Sequence, residues 1–146
     1  MSRLYVVAFD ARLPRWALEA RAEYAKRMPR GFELHCLELK TETAKRLRAR
    51  LPEGARLVAL DERGDALTTA QFARQLQAWR VEGDAVAFVI GGPDGLDAAF
   101  KREAQRRLQL SALTLPHALA QVLVVEQLYR AAMTLRGHPY HRGSLC

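Results

Sequence analysis

Ala85-Val86-Ala87-Phe88-Val89-Ile90 is apolar at every position and is cut off sharply by Gly91-Gly92-Pro93-Asp94-Gly95. A solvated strand alternates polar and apolar residues, whereas one covered on both faces has no side to leave polar. This run therefore reads as a central strand of a parallel sheet. The glycines after it permit a tight turn and a close approach of backbone to a ligand. The same loop also suits an ordinary strand-to-helix connection.

Moving toward the N-terminus, Arg56–Leu60 reads as another strand, running into a turn at Asp61-Glu62-Arg63-Gly64. Between the two strands, Thr68 and Gln71 form a capping-box pattern, with Leu67 and Phe72 as its hydrophobic staple. The helix they start buries Phe72, Ala73, Leu76 and Trp79. Arg3–Phe9 and Phe32–Leu39 read as two earlier strands. They are joined by an amphipathic helix that Pro14 opens and Pro29 and Gly31 stop. Thr43–Leu51 is a basic surface helix. On the C-terminal side a short helix begins near Asp97, and Leu108–Leu115 is a final strand or extended loop. A long helix follows from about Ala118 to Leu135, ended by Gly137. Strands and helices alternate throughout, which predicts an α/β fold with a mostly parallel sheet flanked by helices, in one domain over residues 1–146.

Composition narrows the function. The 146 residues carry 23 Lys and Arg against 16 Asp and Glu, a net charge of +7 that favours a polyanionic partner such as RNA. The only cysteines, Cys36 and Cys146, have no metal-site spacing, so no metal is expected. His138 and His141 are separated by Pro139 and joined by no carboxylate. No apolar run is long enough to span a membrane and no export signal is evident, so a reducing cytoplasmic setting is expected. Neither GxGxxG nor GxxxxGK[ST] is present, which disfavours a Rossmann dehydrogenase or P-loop enzyme.

Ligands of open parallel sheets lie beyond the carboxyl ends of the strands. Three segments fall there: Leu60–Gly64, Gly91–Gly95 and Leu110–Pro116. The last is apolar with two small hydroxyls, which suits an adenine held by backbone groups and aliphatic packing. A buried strand would read the same way.

Four blocks together are more specific than any one: Phe88–Leu96, Leu110-Ser111-Ala112-Leu113-Thr114-Leu115-Pro116-His117, Glu126–Ala131, and His138-Pro139-Tyr140-His141-Arg142. In this order and spacing they resemble the ribosomal large subunit methyltransferase H family. These are small single-domain SPOUT methyltransferases that N3-methylate a pseudouridine in 23S rRNA. Leu13-Pro14-Arg15-Trp16, Glu23-Tyr24 and Arg27 extend the likeness to nearly the whole chain. The Lys40–Leu51 region is shorter than in many relatives, and Gly143–Cys146 runs past the usual end.

The resemblance implies a deep C-terminal trefoil knot, a homodimer, and S-adenosyl-L-methionine as cofactor. Its contacts carry over to Leu60, Gly91, Leu110, Ser111, Ala112, Leu113, Thr114 and Leu115. Its substrate is 23S rRNA in the assembled ribosome or large subunit. Methyl transfer needs an in-line nucleophile held close, and the imide nitrogen of a pseudouridine must lose its proton. In the tail, His141 is the expected proton acceptor and Arg142 the phosphate or base anchor, with Tyr140 beside them; a tail that only positions RNA fits equally. The last helix, with Leu119, Val122, Leu123, Val125 and Tyr129, is more apolar than one buried face requires, so a symmetric subunit contact is expected there. A non-catalytic RNA-binding or ribosome-assembly factor is the alternative, separated by whether the cofactor binds.

Overall fold

A computed structural model describes residues 2–9, 12–40, 44–83, 85–91, 96 and 98–137 of the chain. Five strands are present: β1 Ser2–Phe9, β2 Phe32–Leu39, β3 Arg56–Ala66, β4 Ala85–Ile90 and β5 Arg106–Gln109. Five helices alternate with them: α1 Arg15–Arg27, α2 Ala44–Arg50, α3 Thr69–Glu82, α4 Ala98–Glu103 and α5 His117–Leu135. The strands form one sheet in the order β2-β1-β4-β3-β5, and every neighbouring pair is parallel.

β4 is buried at all six positions, as its unbroken apolar run predicts. Its side chains feed two cores. Val86, Phe88 and Ile90 pack with Leu76 and Trp79 of α3 and Val124 and Leu128 of α5. Ala85, Ala87 and Val89 pack on the other face with Leu47 of α2 and Phe100 of α4. This alternation is the period of two that any strand imposes. Phe88 is the hub of the first core, edge-on to Phe72 and Trp79 at centroid distances of 5.8 and 6.1 Å.

Helix ends follow the sequence signals. The Thr68 side chain accepts from the Gln71 N–H at 3.1 Å, and the Gln71 side chain accepts from the Thr68 N–H at 2.8 Å, a reciprocal capping box. Pro14 and Pro116 are the extended N-cap residues of α1 and α5. Gly137, at φ 76°, takes the left-handed conformation just past α5.

Two expectations are corrected. Asp61-Glu62-Arg63-Gly64 is not a turn, because β3 continues through it to Ala66. Leu108 of β5 pairs with both Leu60 and Asp65, so the residues between bulge from an otherwise continuous ladder. Gly64 makes this possible, since a Cβ on it would lie 2.7 Å from backbone atoms of Arg107 and Leu108. The last strand is Arg106–Gln109, not Leu108–Leu115. Its arginines look like surface residues, but β5 is an edge strand, where charge is tolerated. Arg106 donates to Asp65 at 3.2 Å and to Gln75 at 2.5 Å. On α5, Val125 and Tyr129 face the protomer's own core, whereas Leu119 is exposed and Val122 and Leu123 are partly so.

Candidate active site

β3 and β4 run side by side as far as the Leu60–Ile90 pair, after which β3 continues beside β5 alone. The parting opens a crevice at the carboxyl end of β4, where parallel sheets hold their ligands. Leu110–Pro116 closes it from above. This segment cannot stay in the sheet: the Leu113 N–H donates to Ser111 Oγ at 2.9 Å, a local turn that competes with a ladder. Pro116 then directs the chain into α5.

The result is a cavity of about 170 Å³. Of the residues expected there, Leu60, Leu110, Ser111, Leu113, Thr114 and Leu115 line it. Gly91 is buried immediately after the lining residue Ile90. Ala112 is exposed and does not line the cavity. Tyr140, His141 and Arg142 lie outside the described residues.

Asp61 and Glu62, within the Leu60–Gly64 segment expected at the crevice, line the cavity too, as do Ile90 and Ala120, which sequence does not point to. Asp61 was read as part of a turn, and only the continuation of β3 turns it inward. Its side chain is 8% exposed, with Oδ2 3.3 Å from Lys101 Nζ and 4.0 Å from Arg107 Nη1. Neither contact has hydrogen-bond geometry, so Oδ2 is a buried acceptor without a donor. Oδ1 accepts from the Arg63 N–H at 3.3 Å.

His117 is the first residue of α5 and is partly buried. Burial lowers its pKa, opposed by a hydrogen bond to the Gly91 backbone and by the charge of Glu38. Its Nε2 lies 2.9 Å from Gln121 Nε2. Glu126, farther along α5, is held by two hydrogen bonds from Arg130 at 3.1 and 2.9 Å. Among the described residues, no group of three His, Cys, Asp or Glu side chains is placed to hold a metal ion. No described helix is long and apolar enough to cross a membrane.

The "Predicted SPOUT methyltransferase" family matches residues 2–141. Ribosomal RNA large subunit methyltransferase H of Variovorax paradoxus is 52% identical over 153 residues, covering 96% of this chain and 99% of the relative. The chain belongs to the ribosomal RNA large subunit methyltransferase H family of SPOUT methyltransferases. The methyltransferase shares its fold with a "Probable Methyltransferase" from Bordetella pertussis at TM-score 0.59 and 18% identity, covering 90% of this chain and 96% of that one. A SpoU methyltransferase from Streptomyces viridochromogenes, in complex with AdoMet, matches at TM-score 0.52 and 17% identity, over 91% of this chain and 58% of that one.

The cavity has the chemistry to receive S-adenosylmethionine. Leu60, Ile90 and Leu115 offer aliphatic surface to a base, Ser111 and Thr114 offer hydroxyls, and the unsatisfied Asp61 oxygen can accept from a hydroxyl or an ammonium.

Proposed function

We propose that this chain is an S-adenosylmethionine-dependent methyltransferase that N3-methylates a pseudouridine of 23S rRNA, working as a cytoplasmic homodimer of one knotted SPOUT domain over residues 1–146. The observation that carries the reading is the strand-end cavity: it gathers Leu60 and the 110–115 segment, far apart in sequence, beside the end of β4. Family membership and the +7 charge support an RNA substrate.

The cofactor, when bound, supplies an electrophilic methyl group. The protein's part is then to hold and orient. Leu60, Leu110 and Leu115 give the crevice its aliphatic lining, while Ser111 and Thr114 offer polar edges. Proximity of this kind accounts for much of the acceleration in a transfer between two bound partners. Tyr140, His141 and Arg142 belong to the proposed RNA side of the site, with His141 accepting the imide proton and Arg142 anchoring a phosphate or base. Leu119, exposed on α5, and its half-buried neighbour Val122 belong to the proposed subunit contact. Leu113, 77% exposed at the lip of the cavity, suits cover by a partner or by the substrate.

The test is to incubate the protein with labelled S-adenosylmethionine and ribosomes from a methylation-deficient strain, then map the modified nucleotide. One labelled pseudouridine in 23S rRNA is expected, with weak labelling of naked rRNA. Cofactor binding without transfer to any rRNA would overturn the substrate. No cofactor binding would favour an RNA-binding assembly factor instead.

A further inference from the structure

Consecutive side chains of a regular strand point to opposite faces. Leu60, Asp61 and Glu62 nevertheless all line the strand-end cavity. The ladder between β3 and β5 breaks after Leu60 and resumes at Asp65, and this bulge lets successive residues share the crevice. Of the two acidic residues there, Glu62 is exposed and solvated, whereas the Asp61 side chain is 8% exposed. A carboxylate withdrawn from water needs hydrogen-bond donors in return. Asp61 is short of them: the Arg63 N–H reaches Oδ1 at 3.3 Å, and Oδ2 receives none. Each oxygen can accept more than one hydrogen bond, and rotation about Cβ–Cγ interchanges the two. The group therefore has capacity left for a ligand in the cavity.

The neighbours of Asp61 decide what kind of donor that is. Lys101 Nζ of α4 lies 3.3 Å from Oδ2, and Arg107 Nη1 of β5 lies 4.0 Å from it. These two cations offset the carboxylate's charge without donating a hydrogen bond to Oδ2. A third cation, such as the ammonium of an amino-acid group, would be attracted by Asp61 but repelled by both of them. A neutral O–H donor meets no such repulsion and still gains a bond to a charged acceptor. The rest of the lining points the same way. Leu60, Ile90 and Leu115 suit the faces of a base, and Ser111 and Thr114 suit its polar edge, which leaves Asp61 for the sugar. Two adjacent hydroxyls also match the two oxygens of one carboxylate.

We propose that Asp61 is a specificity-determining residue for the cofactor: its carboxylate accepts hydrogen bonds from the ribose hydroxyls, so that the cavity selects a ribonucleoside over its deoxy counterpart. The proposal rests on the S-adenosylmethionine reading of the cavity.

Calorimetric titration of the full chain tests this, first without any substitution. The probes are S-adenosylhomocysteine, which is the cofactor without its transferable methyl group, and its 2′-deoxy and 3′-deoxy forms. At least one deoxy form should bind about tenfold more weakly or worse, the effect of one hydrogen bond to a charged group. Both deoxy forms within twofold of S-adenosylhomocysteine would overturn the proposal and leave the cofactor reading intact. A protein that binds neither S-adenosylmethionine nor S-adenosylhomocysteine would overturn both.

The second measurement assigns the effect to Asp61. Asp61→Ala should bind S-adenosylhomocysteine about tenfold more weakly and no longer distinguish it from the weaker deoxy form, a coupling read as a double-mutant cycle. A variant that discriminates as the parent does would overturn the proposal, because another group would then read the sugar. Methylthioadenosine keeps the ribose but has no ammonium. It should lose the same factor on Asp61→Ala, and an unchanged affinity would overturn the proposal by assigning Asp61 to the amino-acid end. If Asp61→Ala does not fold, Asp61→Asn, of the same shape but uncharged, carries the same comparisons.

Discussion

Replacing Gly64 with alanine places a methyl group against backbone that has no rotamer to escape into. The new Cβ would lie 2.7 Å from Arg107 C, Leu108 C and Leu108 N, against an ordinary contact of 3.4 Å or more. β3 and β5 would have to part by roughly 0.7 Å, or the bulge would have to refold. Overpacking of side chains costs about 1–3 kcal/mol. Three simultaneous backbone contacts place Gly64→Ala at the upper end, about 3 kcal/mol, and lower Tm by about 10 °C for a chain of this length. The loss should also reach the site, because β5 leads directly into the 110–115 segment that lines the cavity. S-Adenosylmethionine affinity should fall with stability. Gly83→Ala is the control, since its methyl would meet only Arg56 Nε at 4.0 Å and its backbone is extended at φ −168°. That variant should stay within about 0.5 kcal/mol of the parent. Thermal unfolding followed by circular dichroism, with calorimetric titration of the folded variants, reads both effects. A Gly64→Ala protein as stable as Gly83→Ala would refute the argument that a missing side chain sets the β3–β5 approach.

Phe88→Ala should cost about 3–5 kcal/mol in urea unfolding, since it removes a fully buried ring that two aromatic neighbours pack edge-on; a loss below 1 kcal/mol would mean that the first core collapses to fill the space. Thr68→Ala should cost about 1 kcal/mol by opening the capping box and leave cofactor affinity unchanged. The His117 pKa is lowered on folding, so below pH 6.5 the unfolded chain takes up the proton first and stability declines until the folded pKa is passed. Above pH 6.5 this contribution is fully present. Urea midpoints between pH 5 and 7.5 should therefore fall less steeply in His117→Asn than in the parent, and identical slopes would exclude His117 as the source.

The apolar run at 85–90, the capping box and the proline-led helix starts are local signals with local physics, and the structure follows them. Burial on both faces needs no polar position, and a cap needs only neighbours three residues apart. The motif blocks likewise identified the family from residue order alone. Sequence could not show that Asp61–Gly64 continues a strand, because the favourable pairing is with Arg106–Gln109, some forty residues away. The same distance hid β5 behind its arginines, whose partners Asp65 and Gln75 come from other elements. Apolarity alone did not say which of Leu119, Val122, Leu123, Val125 and Tyr129 face the protomer's own core; for Val125 and Tyr129 that was decided by the fold around α5. The hydrogen bonds from Arg21 to Glu38 and to Gln121, which join α1 to β2 and α5, are similarly invisible in one dimension. Arg21 and Gln121 are 100 positions apart, and neither residue type signals burial. Composition and spacing determine what each segment can be, whereas hydrogen-bond partners and inward faces depend on which surfaces the tertiary fold presses together.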